Sequence, residues 1–156
     1  MNRTFMNRTC TTLLSITALA CAALAATKSL NLKDLPPAVQ KTVQDNLNGG
    51  EVKNIAKEVE KGVTQYEVET ILNGKHRDFD VDTKGKLLVV EEEISIDSIP
   101  APAKVTIMKK VGSGTLGKVE TFTKPGGESM YEAAWKDKAG KKHEVLVKGD
   151  GTETKD

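Results

Sequence analysis

Cysteine is missing from everything beyond residue 21. The two cysteines, Cys10 and Cys21, both sit near the start of the chain, so the remainder has no disulfide, no thiolate ligand and no cysteine nucleophile. Histidine is as scarce, with only His76 and His143. Two imidazoles fall short of a zinc site, which needs further ligands in a fixed geometry, and both read as surface residues beside turns. Neither sign of charge is in excess, with 23 Lys and Arg against 22 Asp and Glu. That balance argues against nucleic acid as a ligand, which calls for a strongly basic surface. Beyond residue 27 no apolar run is long enough to span a bilayer. Aromatics are few: after the first 25 residues they are Tyr66, Phe79, Phe122, Tyr131 and Trp135.

What the chain does have begins at residue 1. Arg3 and Arg8 precede an uncharged stretch over 13–26, and Ala23-Leu24-Ala25 offers a small-x-small cleavage site. A positive start, a short apolar run and such a site predict a secretory signal over 1–25, with the product periplasmic or extracellular. The apolar run is shorter than the roughly 20 residues of a spanning helix. Removal of Arg3 and Arg8 with the leader leaves one base fewer than the 22 acids. The string Met-Asn-Arg-Thr occurs at both 1–4 and 6–9, which leaves Met1 and Met6 as alternative initiators. Ala18-Leu19-Ala20-Cys21 is an imperfect lipobox, so a lipidated Cys21, tying the protein to a membrane, stands as the alternative to cleavage near Ala25.

The rest reads as two copies of one unit, over 30–94 and 95–156. Setting Leu35 on Ile99 pairs Pro36 with Pro100, Val43 with Ile107 and Leu47 with Val111. Further on, Tyr66-Glu67 meets Tyr131-Glu132, Gly74-Lys75 meets Gly140-Lys141, and Gly85 meets Gly151. Each copy predicts one helix followed by antiparallel strands, an α+β fold. Pro36 and Pro37 suit a helix's first turn. Leu35, Val39, Val43 and Leu47 then recur every fourth residue as one apolar stripe, which Asn48-Gly49-Gly50 ends. Alternation predicts strands over 52–60, 64–72, 77–82 and 86–94, with turns at Lys61-Gly62, Asn73-Gly74 and Lys84-Gly85. The second copy predicts a helix over 100–111, strands over 115–124, 128–137 and 141–148, and a short polar last strand over 152–156 that frays.

Leu35-Pro36-Pro37-Ala38-Val39, Tyr66-Glu67-Val68-Glu69, and Asp80-Val81-Asp82 with Gly85-Lys86, taken in order, resemble the PepSY-like domains. These are exported modules grouped with the β-lactamase-inhibitor-protein (BLIP-like) fold. The resemblance implies a helix on an antiparallel sheet in each repeat, no catalysis, and a protein-binding or peptidase-modulating role in the cell envelope. The second copy departs from the pattern at Trp135-Lys136 and at Lys148-Gly149-Asp150-Gly151, so the two copies need not bind alike.

Asp78, Asp80 and Asp82 alternate along one strand, which makes them the candidates for a cation. The order of a calcium loop is missing, because Thr83 rather than glycine follows Asp82. The three aspartates therefore read as the solvated face of a strand running into a hairpin. Glu58 with Glu60 and Glu67 with Glu69 read the same way, as the wet side of a half-buried sheet. Ser95, Ser98, Ser113 and Ser129 lie in no nucleophile elbow, and Gly112-Ser113-Gly114 is a helix end. The expectation is a non-enzymatic protein, without cofactor, that contacts a protein or peptide in the envelope. Phe122 and Trp135 are the proposed contacts. Trp135 shares a strand face with Tyr131 and Ala133, which favours a core position. Phe122 is exposed in one strand register and buried in the next. An acidic binder of cations or small ligands and a purely structural envelope protein are the alternatives.

Overall fold

The computed structural model describes residues 29–60 and 62–155. The predicted leader, Cys10, Cys21 and the Ala25 site lie outside the described residues. Helix α1 (Pro37–Asn46) is followed by β1 (Glu51–Glu60), β2 (Val63–Leu72), β3 (Lys75–Asp82) and β4 (Leu87–Glu93). Helix α2 (Ala101–Val111) is followed by β5 (Thr115–Thr123), β6 (Met130–Lys136), β7 (Lys142–Val147) and β8 (Glu153–Thr154). All eight strands form one antiparallel sheet in the order β1 to β8. The elements match the expected ones to within a few residues. The last strand is only two residues long, as its polar sequence implied.

Each helix starts on a proline pair or a Pro-x-Pro run and buries one stripe. In α1 the stripe is Val39 and Val43, with Leu35 ahead of it; they pack on Ile55, Tyr66, Val68, Phe79 and Val81. In α2 it is Ala103, Ile107 and Val111, with Ile99 ahead; they pack on Val119, Ala133, Val145 and Val147. Full burial of each aliphatic side chain contributes roughly 1.5–3 kcal/mol. Both helices therefore lie on the same face of the sheet, the face of Tyr66, Phe79, Ala133 and Val147. No helix of the described residues is long and apolar enough to cross a membrane.

Two details pin the helices to the turns at one end of the sheet. The Thr42 hydroxyl donates to the Gly85 carbonyl at 2.5 Å, and the Thr106 hydroxyl donates to the Gly151 carbonyl at 2.8 Å. Gly85 and Gly151 take φ of +86° and +88°, and a Cβ on either would meet the Ala38 or Pro102 carbonyl oxygen at 2.6 or 2.9 Å. Glycine is required there twice over, by backbone handedness and by the close approach of the helix.

Arg77 is the polar member of the first core. Its side chain is 9% exposed; Nε donates to Glu92 at 2.9 Å, Nη1 donates to the Asn46 carbonyl at 2.7 Å, and the guanidinium stands 5.6 Å from the centre of the Phe79 ring. The arginine thus satisfies an end carbonyl of α1 and places a positive charge at the negative end of the helix dipole. Arg77→Ala strands that carbonyl and uncovers Phe79. A loss of about 2–3 kcal/mol is expected in urea unfolding, with Arg77→Lys recovering only part of it because an ammonium cannot serve both acceptors from one plane.

Candidate functional site

Alternation places one side chain of every pair on the helices' face and the next on the opposite, helix-free face. The register then decides which side chains of that free face confront each other. Glu67 of β2 stands opposite Asp80 of β3, and Asp78 of β3 opposite Glu91 of β4. Glu93 of β4 stands opposite Glu120 of β5, which is in turn opposite Glu132 of β6. Carboxylates directly opposed across antiparallel strands repel and destabilise the sheet. Here opposed acids recur across five consecutive strands.

The central acids are not simply in water. Glu58, Glu60, Gln65, Glu67, Asp78, Asp80 and Glu91 line a cavity of about 220 Å³ that Val89 floors. Burial, reinforced by the charge of Glu58, a hydrogen bond shared with Glu58, and the charges of Asp80 and Glu69, raises the Glu67 pKa to about 8. Glu91 is likewise pushed up to about 8, first by burial and then by Glu132, Glu120 and Asp80, with Lys118 working the other way. Both carboxyls hold their protons at neutral pH. The lining consists of carboxyls, the Gln65 amide and apolar groups, with no imidazole, hydroxyl or thiol. The site can give up protons and accept a cation.

One internal cation answers part of this charge. Lys118 Nζ lies 2.8 Å from Glu120 Oε1 and 3.7 Å from Asp78 Oδ2. Desolvation works against the ammonium, but its pairing with Glu120, Asp78 and Glu91 outweighs that and holds its pKa above the ordinary lysine range. Burial raises the Glu120 carboxyl despite the same pair.

The three alternating aspartates meet different fates. Asp78 is buried rather than solvated: its side chain is 9% exposed, and Oδ1 accepts the Thr70 N–H at 3.0 Å. A local break in the β2–β3 ladder leaves that amide needing an acceptor, and the aspartate supplies one. Asp80 accepts from the Gln65 amide at 2.8 Å. Asp82 closes its turn, accepting from the Lys84 and Lys86 N–H groups. The fold brings Asp78 and Asp80 into the acid cavity and commits Asp82 to the hairpin. Among the described residues no group of three or more His, Cys, Asp or Glu is disposed to hold a metal ion.

Phe122 and Trp135 are on opposite faces. Phe122 is 5% exposed and sits on the helix-free face with Val89, Leu146 and Met130 as a small apolar cluster; Lys124 Nζ hovers 5.7 Å from its ring centre. Trp135 is half-buried against the second helical core and stacks on His143, centroids 5.2 Å apart. His143 Nε2 is 2.9 Å from Asp137 Oδ2, so this histidine is built into a hairpin rather than lying free on the surface. The two aromatics do not form one site. What inspection of single strands misses is the convergence of Glu67, Glu91 and Glu120. The signal for it is the repeated outward acid in successive strands, read together with a strand register.

No protein-family model and no curated protein sequence matches the chain. Solved structures do. A candidate periplasmic protein from Bacteroides eggerthii superposes with a TM-score of 0.62 at 14% identity, covering 78% of this chain and 86% of that one. A DUF2874 family protein from Bacteroides ovatus gives 0.59 at 14% identity, over 78% and 85%. A BLIP-like protein from Bacteroides fragilis gives 0.54 at 20% identity, over 78% and 84%. At these identities the likeness is one of fold, a BLIP-like α+β architecture with two helices on an eight-stranded antiparallel sheet.

Proposed function

We propose that this chain is an exported, non-enzymatic binding module of two tandem PepSY-like repeats, over 30–94 and 95–156, working in the periplasm or outside the cell. Its helix-free sheet face contacts a protein or peptide that presents basic side chains. The observation that carries this reading is the row of directly opposed acidic side chains on that face, two of which, Glu67 and Glu91, keep their protons at neutral pH. Such pairs cost stability, and a surface selected for folding alone would avoid them. A partner's lysines and arginines would relieve them. The equivalent helix-to-turn bonds of Thr42 and Thr106 support the repeat reading, and the fold shared with the Bacteroides proteins is consistent with it.

The test is site-specific photo-crosslinking in the producing cell. Cross-linking residues at Glu69 and Ala134, on the helix-free face, are expected to give one discrete adduct. The same residue at Val105 and Met108, which are 67% and 43% exposed on α2, is expected to give none. Adducts from α2 alone would move the contact to the other side of the molecule, and fractionation of the same cells reports the compartment.

A further inference from the structure

The helix-free face carries two hollows that share a wall. The acid cavity shares Glu60, Gln65, Asp80 and Val89 with a larger groove of about 370 Å³. That groove lies at the end of the sheet where the β1–β2, β3–β4 and β5–β6 connections gather, its floor is Leu88, Val89 and Phe122, and Lys86 and Lys124 stand among its walls. Leu88 reaches it through a β-bulge: Asp80 pairs with Val89 and Val81 with Leu87, so Leu88 has no partner across the ladder. Bulges re-aim side chains, and this one adds a leucine to the groove. Val63, 51% exposed, stands at the rim.

The wall between the hollows is polar in a particular way. Gln65 is 5% exposed, and its amide nitrogen donates to Asp80 Oδ2 at 2.8 Å and to Glu60 Oε2 at 3.2 Å. A neutral donor therefore bridges two acids at the point where an apolar compartment meets an acidic one. A ligand that fills both compartments can set an apolar group over Leu88 and Phe122 and a cation against the acids.

We infer that this double hollow receives an extended segment of a partner protein in which an aliphatic side chain and a lysine or arginine stand two residues apart, and so on one side of the segment, the aliphatic group over Leu88 and Phe122 and the cation against Asp80, Glu67 and Glu91. The inference rests on the proposed binding role of this face and specifies the partner's chemistry by charge and shape complementarity. Cation entry displaces the protons that Glu67 and Glu91 hold at neutral pH, so binding releases protons and tightens as pH rises towards 8. The charged groups facing these two carboxyls take part in that balance: Glu58 from β1, Glu69 from β2, Asp78 and Asp80 from β3, Lys118 and Glu120 from β5, and Glu132 from β6.

The experiment titrates the mature chain with three capped peptides, Gly-Leu-Gly-Lys-Gly, Gly-Leu-Gly-Glu-Gly and Gly-Ser-Gly-Lys-Gly, followed by amide resonances. The first is expected to move the amides of Glu67, Val89 and Phe122 and to release protons into a weak buffer. The other two are expected to bind about ten-fold more weakly, the loss of one charge-assisted contact or one buried aliphatic group. Leu88→Ser and Asp80→Asn should each reproduce one of those losses, while Val105→Ser binds as the parent. Equal binding of all three peptides, or shifts confined to the helices' face, overturns the inference. If a variant loses its dispersed spectrum, the peptide exchange on the parent chain still decides. Cross-links on the sheet face combined with indifferent peptides sink this inference alone, whereas cross-links from α2 sink the binding reading beneath it.

Discussion

The double substitution Glu67→Gln with Glu91→Gln should make the protein more stable at pH 8.5 and leave it little changed at pH 5. Glutamine keeps the shape of a protonated carboxyl and its ability to donate, and it never ionises. In the parent both groups bind protons more tightly in the folded chain, near 8, than at their ordinary value of 4.5. Between those values the native state holds protons that the unfolded state has released. Stability must then fall as pH rises through the window from about 4.5 to about 8, and level off above it. After discounting for the partial exposure of both groups, the swing is about 1 kcal/mol for each carboxyl. The lowered aspartates act elsewhere: hydrogen bonds from the Lys86 and Lys84 amides hold Asp82 down, and the His143 contact and backbone amides hold Asp137 down. Their contribution is present above the ordinary aspartate value of 3.8 and is lost below it. The parent should therefore be most stable near pH 5. Thermal melts of parent and variant across pH 4–9 check this; parallel curves would mean that the two carboxyls are ionised at neutral pH.

Phe122→Ala should cost about 3 kcal/mol, at the lower end for truncation of a buried phenylalanine, because its cluster is small and stands at the margin of the sheet. For a domain of this size that corresponds to a fall of roughly 10 °C in melting temperature. The cause is loss of packing against Val89, Leu146 and Met130. A fall of a degree or two would place the ring on the surface. The size of the effect also bears on function, since weakened partner capture by this variant would mix unfolding with lost contact. Leu88, half-buried on its bulge, is the cleaner probe of the same groove.

These two predictions mark where the sequence was readable. The helices, their stripes and the turns were legible because each has a local cause: the prolines before α1 and α2, the four-residue recurrence from Leu35 to Leu47, and Asn73-Gly74 at its hairpin. Phe122 was undecided for a different reason. Its burial depends on which strand β5 meets across a connection spanning 94–114, and nothing within β5 itself fixes that pairing. The register Glu91 opposite Phe122 and Phe122 opposite Met130 settles it. The acid cavity was hidden by the same gap. Each strand taken singly shows an outward carboxyl beside an inward valine or tyrosine, which is what a wet sheet face looks like. Only the lateral order of strands stacks Glu67 on Asp80 and Asp78 on Glu91, and lateral order is not a property of any one segment. Asp78 adds a second lesson, since its burial answers a missing ladder acceptor at Thr70, a defect that no side-chain pattern announces.

The plain meander from β1 to β8 also has a consequence for how quickly the chain finds its fold. Every strand pairs with its neighbour in sequence, so nearly all the loops that must close are short hairpins. The exception is the β4–β5 seam, which has to wait for the segment carrying α2 to fold back. Sheets dominated by long-range pairings form slowly because loop entropy is lost before contacts compensate for it. This sheet avoids most of that delay, and its zippering can proceed outwards from any hairpin. One kinetic bottleneck remains, the meeting of the two halves, where Glu93 and Glu120 must be brought face to face.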